Sequence, residues 1–340
     1  MVKRPTLTDL AAAAGVSIAT VDRVINRRLP VTDDTAQRVV KAAESIGYHA
    51  TSLLKRRIAE TPVRRFGFLL QKKYAFYENF GQELLAATKL ARDIEGKPLL
   101  EFMEDLDPGF IAARIEAVAA KVDALAMVAM DHPQVIQAVE KVSAQGKPVF
   151  TLLSPLSTEA ISGHLGLDSR KCGRIAGWAI SRIVKSPGKI GILVGSHRYL
   201  NHEISEISFR AYMREHAPQH QLMEPIVNLD DERIAYEAVS SMLKTYPDLR
   251  AIYVAGGGQD GLIKALREIA GRERPVAVCN EVTPTTRAAL LDGIIDLTLA
   301  TPIASLATRT VNNMMAACDE RRISPQQCFV PPEIVVSENL

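Results

Sequence analysis

From Arg65 onward the chain alternates short apolar runs with amphipathic stretches, and nothing else in it limits the fold as much. The runs RFGFLLQ, KPLLEFM, ALAMVAM, KPVFTLL, GHLGL, KIGILVG, AIYVAGG, PVAVCNE and DLTLA are of strand length. Between them lie segments with helical spacing, such as ENFGQELLAATKLARD (78–93) and PQVIQAVEKVSAQG (133–146). Alternation of this kind builds a parallel sheet with helices on both faces. Nine such runs exceed one comfortable sheet, which predicts two lobes. Open parallel sheets bind ligands at the carboxyl ends of their strands, so two of them facing each other define a cleft.

Residues 1–60 read differently and contain no convincing strand. A helix is predicted from about Thr6 to Ala14, stopped by Gly15. Ser17 can cap a second helix running to about Ile25, because its hydroxyl accepts from the first free backbone N–H groups. Thr32 caps a third, with Asp33 and Asp34 in its first turn, where the helix dipole favours acids. Three short helices with tight turns suggest a helix-turn-helix domain. Charge is also divided. Residues 1–65 hold 12 Lys/Arg against 6 Asp/Glu, and the remainder 29 against 33, within an overall charge of +2. A basic head on a mildly acidic body points to a polyanion partner for the head alone.

Several classes drop out. The longest apolar runs are too short to span a membrane, and the amino end lacks the apolar run of a signal peptide, which predicts a cytoplasmic protein. Cys172, Cys279, Cys318 and Cys328 show no C-x-x-C spacing and no histidine clustering, so reduced thiols are expected, with no metal and no cofactor. His132, His164, His197, His202, His216 and His220 pair with no nucleophile in a recognised elbow, so no enzyme is expected. His197 and His202 read as polar surface.

The stretch TLTDLAAAAGVSIATVDRVINRRLPVTDDTAQRVVKAAESIGY (6–48) closely resembles the head of the lactose-repressor (LacI/GalR) family of bacterial transcription regulators. The body resembles that family's sensor, a fold shared with periplasmic sugar-binding proteins. The resemblance implies a small all-α helix-turn-helix head and an α/β two-lobed sensor of two parallel, Rossmann-like sheets. The expected division is a head at 1–50, a hinge at 51–64, and an effector-binding and dimerisation domain at 65–340. Its first lobe would take about 65–160 and 298–322, and its second 161–297 and 323–340.

In such heads the amino-terminal turn of the second helix enters the major groove, where base edges are distinguishable. Carried over position by position, Ile18, Ala19 and Arg23 fall at base-reading positions, with Val16, Val21 and Val24 packing inward. Thr6, Ser17, Thr20, Asn26 and Thr32 fall where phosphates are held. Asp22 departs from the family's usual serine. It either repels phosphate, accepts from a cytosine amino group, or pairs with nearby arginines. In the hinge TSLLKRRIAE (51–60) the resemblance implies a leucine wedged into the minor groove. Ungapped counting puts Arg57 there. Either an arginine enters the groove, or Leu54 or Ile58 does so after a register shift.

For the cleft, sugar recognition combines an aromatic face with carboxylate, amide and arginine groups. Phe76, Tyr77, Asp131, His132, Arg198, Gln259, Asp260 and Glu281 lie at predicted strand ends and form the candidate effector set, with Asp168 also at a strand end. An arginine that many family members carry ahead of the helix at 202–215 has no clear match; Ser205 and Glu206 fall near it. AIYVAGGGQDGLIKAL contains a G-x-G-x-x-G at Gly256, Gly258 and Gly261, which alone would read as a dinucleotide fingerprint. Its late place among many strand-helix units favours a tight turn bordering the cleft. The expected partners are double-stranded operator DNA, a small polar effector such as a sugar or polyol, and a second copy in a homodimer. The rivals are a solute-binding receptor and a nucleotide-binding oxidoreductase.

Overall fold

The structure, a computed structural model, describes residues 5–26, 31–51, 54, 62–71, 74–269, 273–319 and 326–340. Contacts divide it into two units, one of Met1–Val63 with Arg92–Glu95, the other of the remaining residues.

The first unit contains the three expected helices, α1 (Leu7–Ala14), α2 (Ile18–Asn26) and α3 (Asp33–Ser45). Thr6 and Asp9 close a reciprocal capping box on α1, and Gly15 ends it at φ 63°, a left-handed conformation that costs a residue without Cβ nothing. Leu10, Val21, Val24, Val39, Ala43 and Tyr48 form the core of this unit. Leu54 joins them, 1% exposed. In this conformation Leu54, one of the three wedge candidates, is therefore spent on the head's own packing. Arg57 and Ile58, the other wedge candidates, lie outside the described residues.

Two sheets make up the second unit. The strands are β1 (Val63–Gln71), β2 (Glu95–Met103), β3 (Ala124–Met127), β4 (Val149–Leu152), β5 (Gly163–Leu167), β6 (Lys189–Val194), β7 (Gln221–Leu222), β8 (Ile226–Val227), β9 (Leu249–Val254), β10 (Val276–Asn280), β11 (Leu297–Ala300), β12 (Gln326–Val330) and β13 (Glu333–Val335). The first sheet runs β12-β5-β4-β3-β1-β2; the second runs β13-β11-β10-β9-β6-β7, with β8 also on β6. The pairings of β3 with β1 and β4, and of β5 with β4 and β12, are parallel. In the second sheet β13 is antiparallel to β11.

Helices α4 (Ala75–Leu90), α5 (Pro108–Ala119), α6 (Pro133–Ala144), α7 (Ser169–Ile183), α8 (Leu200–His216), α9 (Glu232–Thr245), α10 (Gln259–Arg267), α11 (Pro284–Leu291) and α12 (Ile303–Asp319) complete the unit. Three begin X-Pro: Asp107, His132 and Thr283 cap α5, α6 and α11 with side chains that accept a backbone N–H. Proline there gives up an N–H that no helix could use. Apolar faces of α5 and α6 pack on one face of the first sheet. In the second lobe α9, α10 and α11 cover one face, and α7 and α8 the other.

Three strands fall in the opposite lobe from the one expected. Residues 163–167 form an inner strand of the first sheet, 297–300 lie inside the second, and 326–330 return to the edge of the first. The chain therefore passes between lobes after β5, after β11 and after β12. Helix α12, which follows β11, packs on α4 and on strands β3 and β5 of the first lobe. Apolar strands look alike in either lobe, so the sequence does not mark where the chain crosses.

Candidate functional site

On the head, α2 presents two faces. Val21 and Val24 are buried while Ile18, half exposed, stands on the outer side with Ala19 and Arg23. Ser17 Oγ accepts from Thr20 N at 3.1 Å and bonds Thr20 Oγ1 at 2.9 Å, which fixes the start of the helix. Thr6 Oγ1 donates to Asp9 at 2.7 Å, and Thr32 pairs with Thr35 at 2.9 Å. Asp22 accepts from Asn26 Nδ2 at 2.6 Å, one turn along the same helix. The acid is thus engaged by a neighbour one turn on, a residue expected at a phosphate, while Arg27 and Arg28 lie outside the described residues.

Between the lobes of the second unit lies a cavity of about 450 Å³. Its walls are strand ends: Gln71 of β1, Leu153 and Ser154 after β4, Leu167 of β5, Ala255 to Gly258 after β9, Asn280 of β10 and Thr301 after β11. This is where the closing of parallel sheets leaves backbone and side chains convergent. Phe76, Tyr77, Gln259, Asp260 and Glu281 line it, as the sequence led us to expect.

Asp131, His132 and Arg198 do not line it. Asp131 accepts from Ser157 N and Oγ, both at 2.8 Å, which ties down the loop after β4. His132 caps α6 through Nδ1, and Arg198 is exposed with Nη1 3.9 Å from Met130 Sδ. Asp168 caps α7. Strand-end position identified these residues, but local capping and loop anchoring consume them.

Sequence reasoning missed Tyr199, Asn201, His202 and Asp230, all of which line the cavity. His202, expected at the surface, accepts from Ser196 N at 3.3 Å, and burial lowers its pKa against the pull of Asp230. Asp230 accepts from Gly257 N at 2.6 Å, and Asn228 Nδ2 donates to Gly257 O at 2.8 Å. Those two bonds seat the glycine-rich loop. Gly258 has φ 93°, and a Cβ on Gly261 would collide with the backbone carbonyl of Glu232. These glycines serve loop conformation and the packing of α10 on α9, so the fingerprint has a structural account.

Two further features mark the cavity as built for a polar guest. Tyr199 Oη, Asn201 Oδ1 and Gln259 Oε1 at the cavity are among eight buried side-chain atoms of the described residues without a partner in hydrogen-bond geometry, the others lying in Arg64, His220, Arg250 and Tyr253. Buried polar atoms of this kind are rare and costly unless something pairs with them. Leu153, Leu229, Asp230 and Glu281 are the non-glycine residues with positive φ among those described. Three line the cavity and the fourth precedes Asp230. Each such residue costs on the order of 1–3 kcal/mol, and such strain concentrates where ligands bind. Glu281 receives Thr301 N at 2.9 Å and Thr301 Oγ1 at 2.7 Å, yet burial outweighs these bonds and lifts its pKa to about 7. Burial, reinforced by the charges of Asp230 and Glu281, also holds the Tyr77 phenol well above its ordinary value.

Head and body together define a class: a helix-turn-helix module ahead of a two-lobed binding-protein fold. Comparison with known proteins agrees. Residues 102–322 match the periplasmic binding protein domain, and residues 6–51 match the lacI family of bacterial regulatory proteins. The chain belongs to the periplasmic binding protein domain family, whose model matches more than half of it, and it carries a lacI-family domain at its head. It is 58% identical over 45 residues to the HTH-type transcriptional regulator GalR of Lacticaseibacillus casei, covering 13% of this chain and 14% of that one. To the HTH-type transcriptional regulator GanR of Bacillus subtilis it is 25% identical over 222 residues, covering 62% of this chain and 61% of the other. The chain thus spans less than two thirds of the length of either regulator. Among solved structures, a solute binding protein from Agrobacterium vitis bound with alpha-D-tagatopyranose superposes with a TM-score of 0.74 at 19% identity, over 81% of this chain and 95% of that one. No helix among the described residues is long and apolar enough to cross a membrane.

Proposed function

We propose that this protein is a sequence-specific DNA-binding transcription regulator, a repressor in its default form, controlled by a small polar effector in the interlobe cavity. A sugar or polyol is the leading class. The observation that carries the DNA reading is α2: Ile18, Ala19 and Arg23 face outward from a capped helix whose opposite face is buried in the head's core. Arg23 can bridge guanine O6 and N7, worth roughly 1–3 kcal/mol of discrimination, while Ile18 and Ala19 offer apolar contact to a thymine methyl. Thr6, Ser17, Thr20, Asn26 and Thr32 would meet phosphates, exchanging their present internal partners for DNA oxygens.

Regulation would follow from the cavity's place between two lobes. An effector that binds the closed arrangement more tightly than the open one shifts the population toward it. In a homodimer, with residues 51–64 as hinge, that shift would move two heads together or apart on a near-palindromic operator. Such a protein acts where the chromosome is, in the cytoplasm, and catalyses no reaction.

The test is a mobility shift on the DNA upstream of the protein's own gene. The full chain should retard that fragment and a chain lacking residues 1–60 should not. A truncated chain that still bound it would overturn the assignment of the head.

A further inference from the structure

The walls of the cavity are unusually acidic. Asp230, Asp231, Glu232, Asp260 and Glu281 line it, and no lysine or arginine does so among the described residues. None of the five forms an ion pair with a described residue within 4.0 Å. Asp231 and Glu232 are exposed at the rim, and Asp231 is spent capping α9. Asp230 and Glu281 lie deeper and are held in place, one by Gly257 N and the other by Thr301. Facing them are the rings of Tyr74, Phe76, Tyr77 and Tyr199.

Tyr199 supplies an independent sign that this wall expects a guest. It lines the cavity and is 4% exposed, and its buried hydroxyl has no partner in hydrogen-bond geometry, although Gln71 of the same wall interacts with it. Hydroxyl groups on a ligand can satisfy Tyr199, Asn201 and Gln259. They can also donate to the two carboxylates, but they do not neutralise the charge those groups carry in a partly desolvated site, which an opposite charge would. Aromatic faces also attract cations, most strongly where water is excluded. A phosphorylated or carboxylated ligand would meet the same acids as repulsion.

We infer that the effector is a polyhydroxylated molecule bearing a protonated amine, which sits between Asp230 and Glu281 against the aromatic wall. This rests on the effector reading above and narrows it from polar molecules generally to organic cations with hydroxyl groups. The amine would complete the charge balance that the described lining leaves open, and the hydroxyls would meet the amide and phenol groups. Selectivity against sugar phosphates would then be built into the cavity.

Isothermal titration of the full chain at pH 7 tests this with matched ligands. The set is glucosamine, galactosamine and mannosamine, the 1-amino-1-deoxy alditols, the hydroxyl counterpart of each, and the corresponding 6-phosphates. At least one amine should bind tenfold or more tightly than its hydroxyl counterpart, and no 6-phosphate should bind more tightly than its parent. Asp230→Asn, which keeps an oxygen for Gly257 N, and Glu281→Gln should each shrink the ratio of amine to hydroxyl affinity. Hydroxyl compounds that bind as tightly as their amines overturn the inference and leave the effector reading standing. If none of the compounds saturates the protein, the effector reading itself falls. The comparison within the unaltered chain decides the matter even if a variant fails to fold.

Discussion

Glu281 allows a prediction whose size follows from the structure. Its carboxyl is enclosed at the end of β10, and burial raises its pKa from the ordinary 4.5 to about 7 despite two bonds from Thr301. In the unfolded chain the group returns to its ordinary value, so the native state binds more protons between those two values. The sign is therefore fixed: the stability it contributes is fully present below the lower pKa and is lost as pH rises through the higher one. Integrating between pH 5 and pH 8 gives a loss of about 2.5 kcal/mol. Glu281→Gln cannot titrate, yet it keeps an amide oxygen to accept from Thr301. Urea denaturation of the two proteins at pH 5 and pH 8 isolates the effect, because every other titrating group cancels in the difference. The stability of the glutamine variant relative to the parent should rise by about 2.5 kcal/mol from the lower pH to the higher. A difference that stays constant across that range would refute the reasoning.

Other expectations concern the head and the glycine-rich loop. Leu54→Ala empties a site that is 1% exposed and should lower the stability of the head by about 2–5 kcal/mol, read by thermal denaturation. Arg23→Ala should weaken binding to the operator far more than to random DNA in fluorescence anisotropy; equal losses would place Arg23 on phosphate. Asp22→Ala releases Asn26 and removes an acid from the DNA-facing helix, so affinity for random DNA should rise a few fold, most visibly at low salt. Gly261→Ala should cost more than about 1 kcal/mol in a urea melt, since its Cβ meets backbone that cannot swing aside.

Much of this was legible in the sequence. Capping chemistry and the spacing of valines outlined the head, because a three-helix module of this size has few other ways to bury them. Strand-end position located Phe76, Tyr77, Gln259, Asp260 and Glu281, since parallel sheets gather such residues at one edge. The same rule also selected Asp131, His132 and Arg198, because it cannot separate a side chain turned to the cavity from one capping the next helix. Asp230 escaped notice for another reason: β7 and β8 are two residues each, too short for any periodicity to announce the turn that follows. Tyr199 is the N-cap of α8 and Asn201 and His202 lie in its first turn, where the path of the preceding connection, set by long-range packing, turns them to the cavity. Lobe membership of β5 and β11 was invisible, because burial on both faces makes every central strand equally apolar, and β12 is a short edge strand whose sequence carries no mark of which sheet it joins.

The three passages of the chain between lobes bear on how such proteins can diversify. The three helices of the head occupy one uninterrupted stretch at the amino end, so a single recombination event can graft them onto a different body. Neither lobe has that property. Each is assembled from separated segments, with β12 alone returning to the first sheet after the second has been nearly completed. No one crossover between two genes can exchange a lobe whole. Head and body are thus free to be recombined as whole blocks, whereas one lobe of the body can change only in place, beside the lobe it is threaded through.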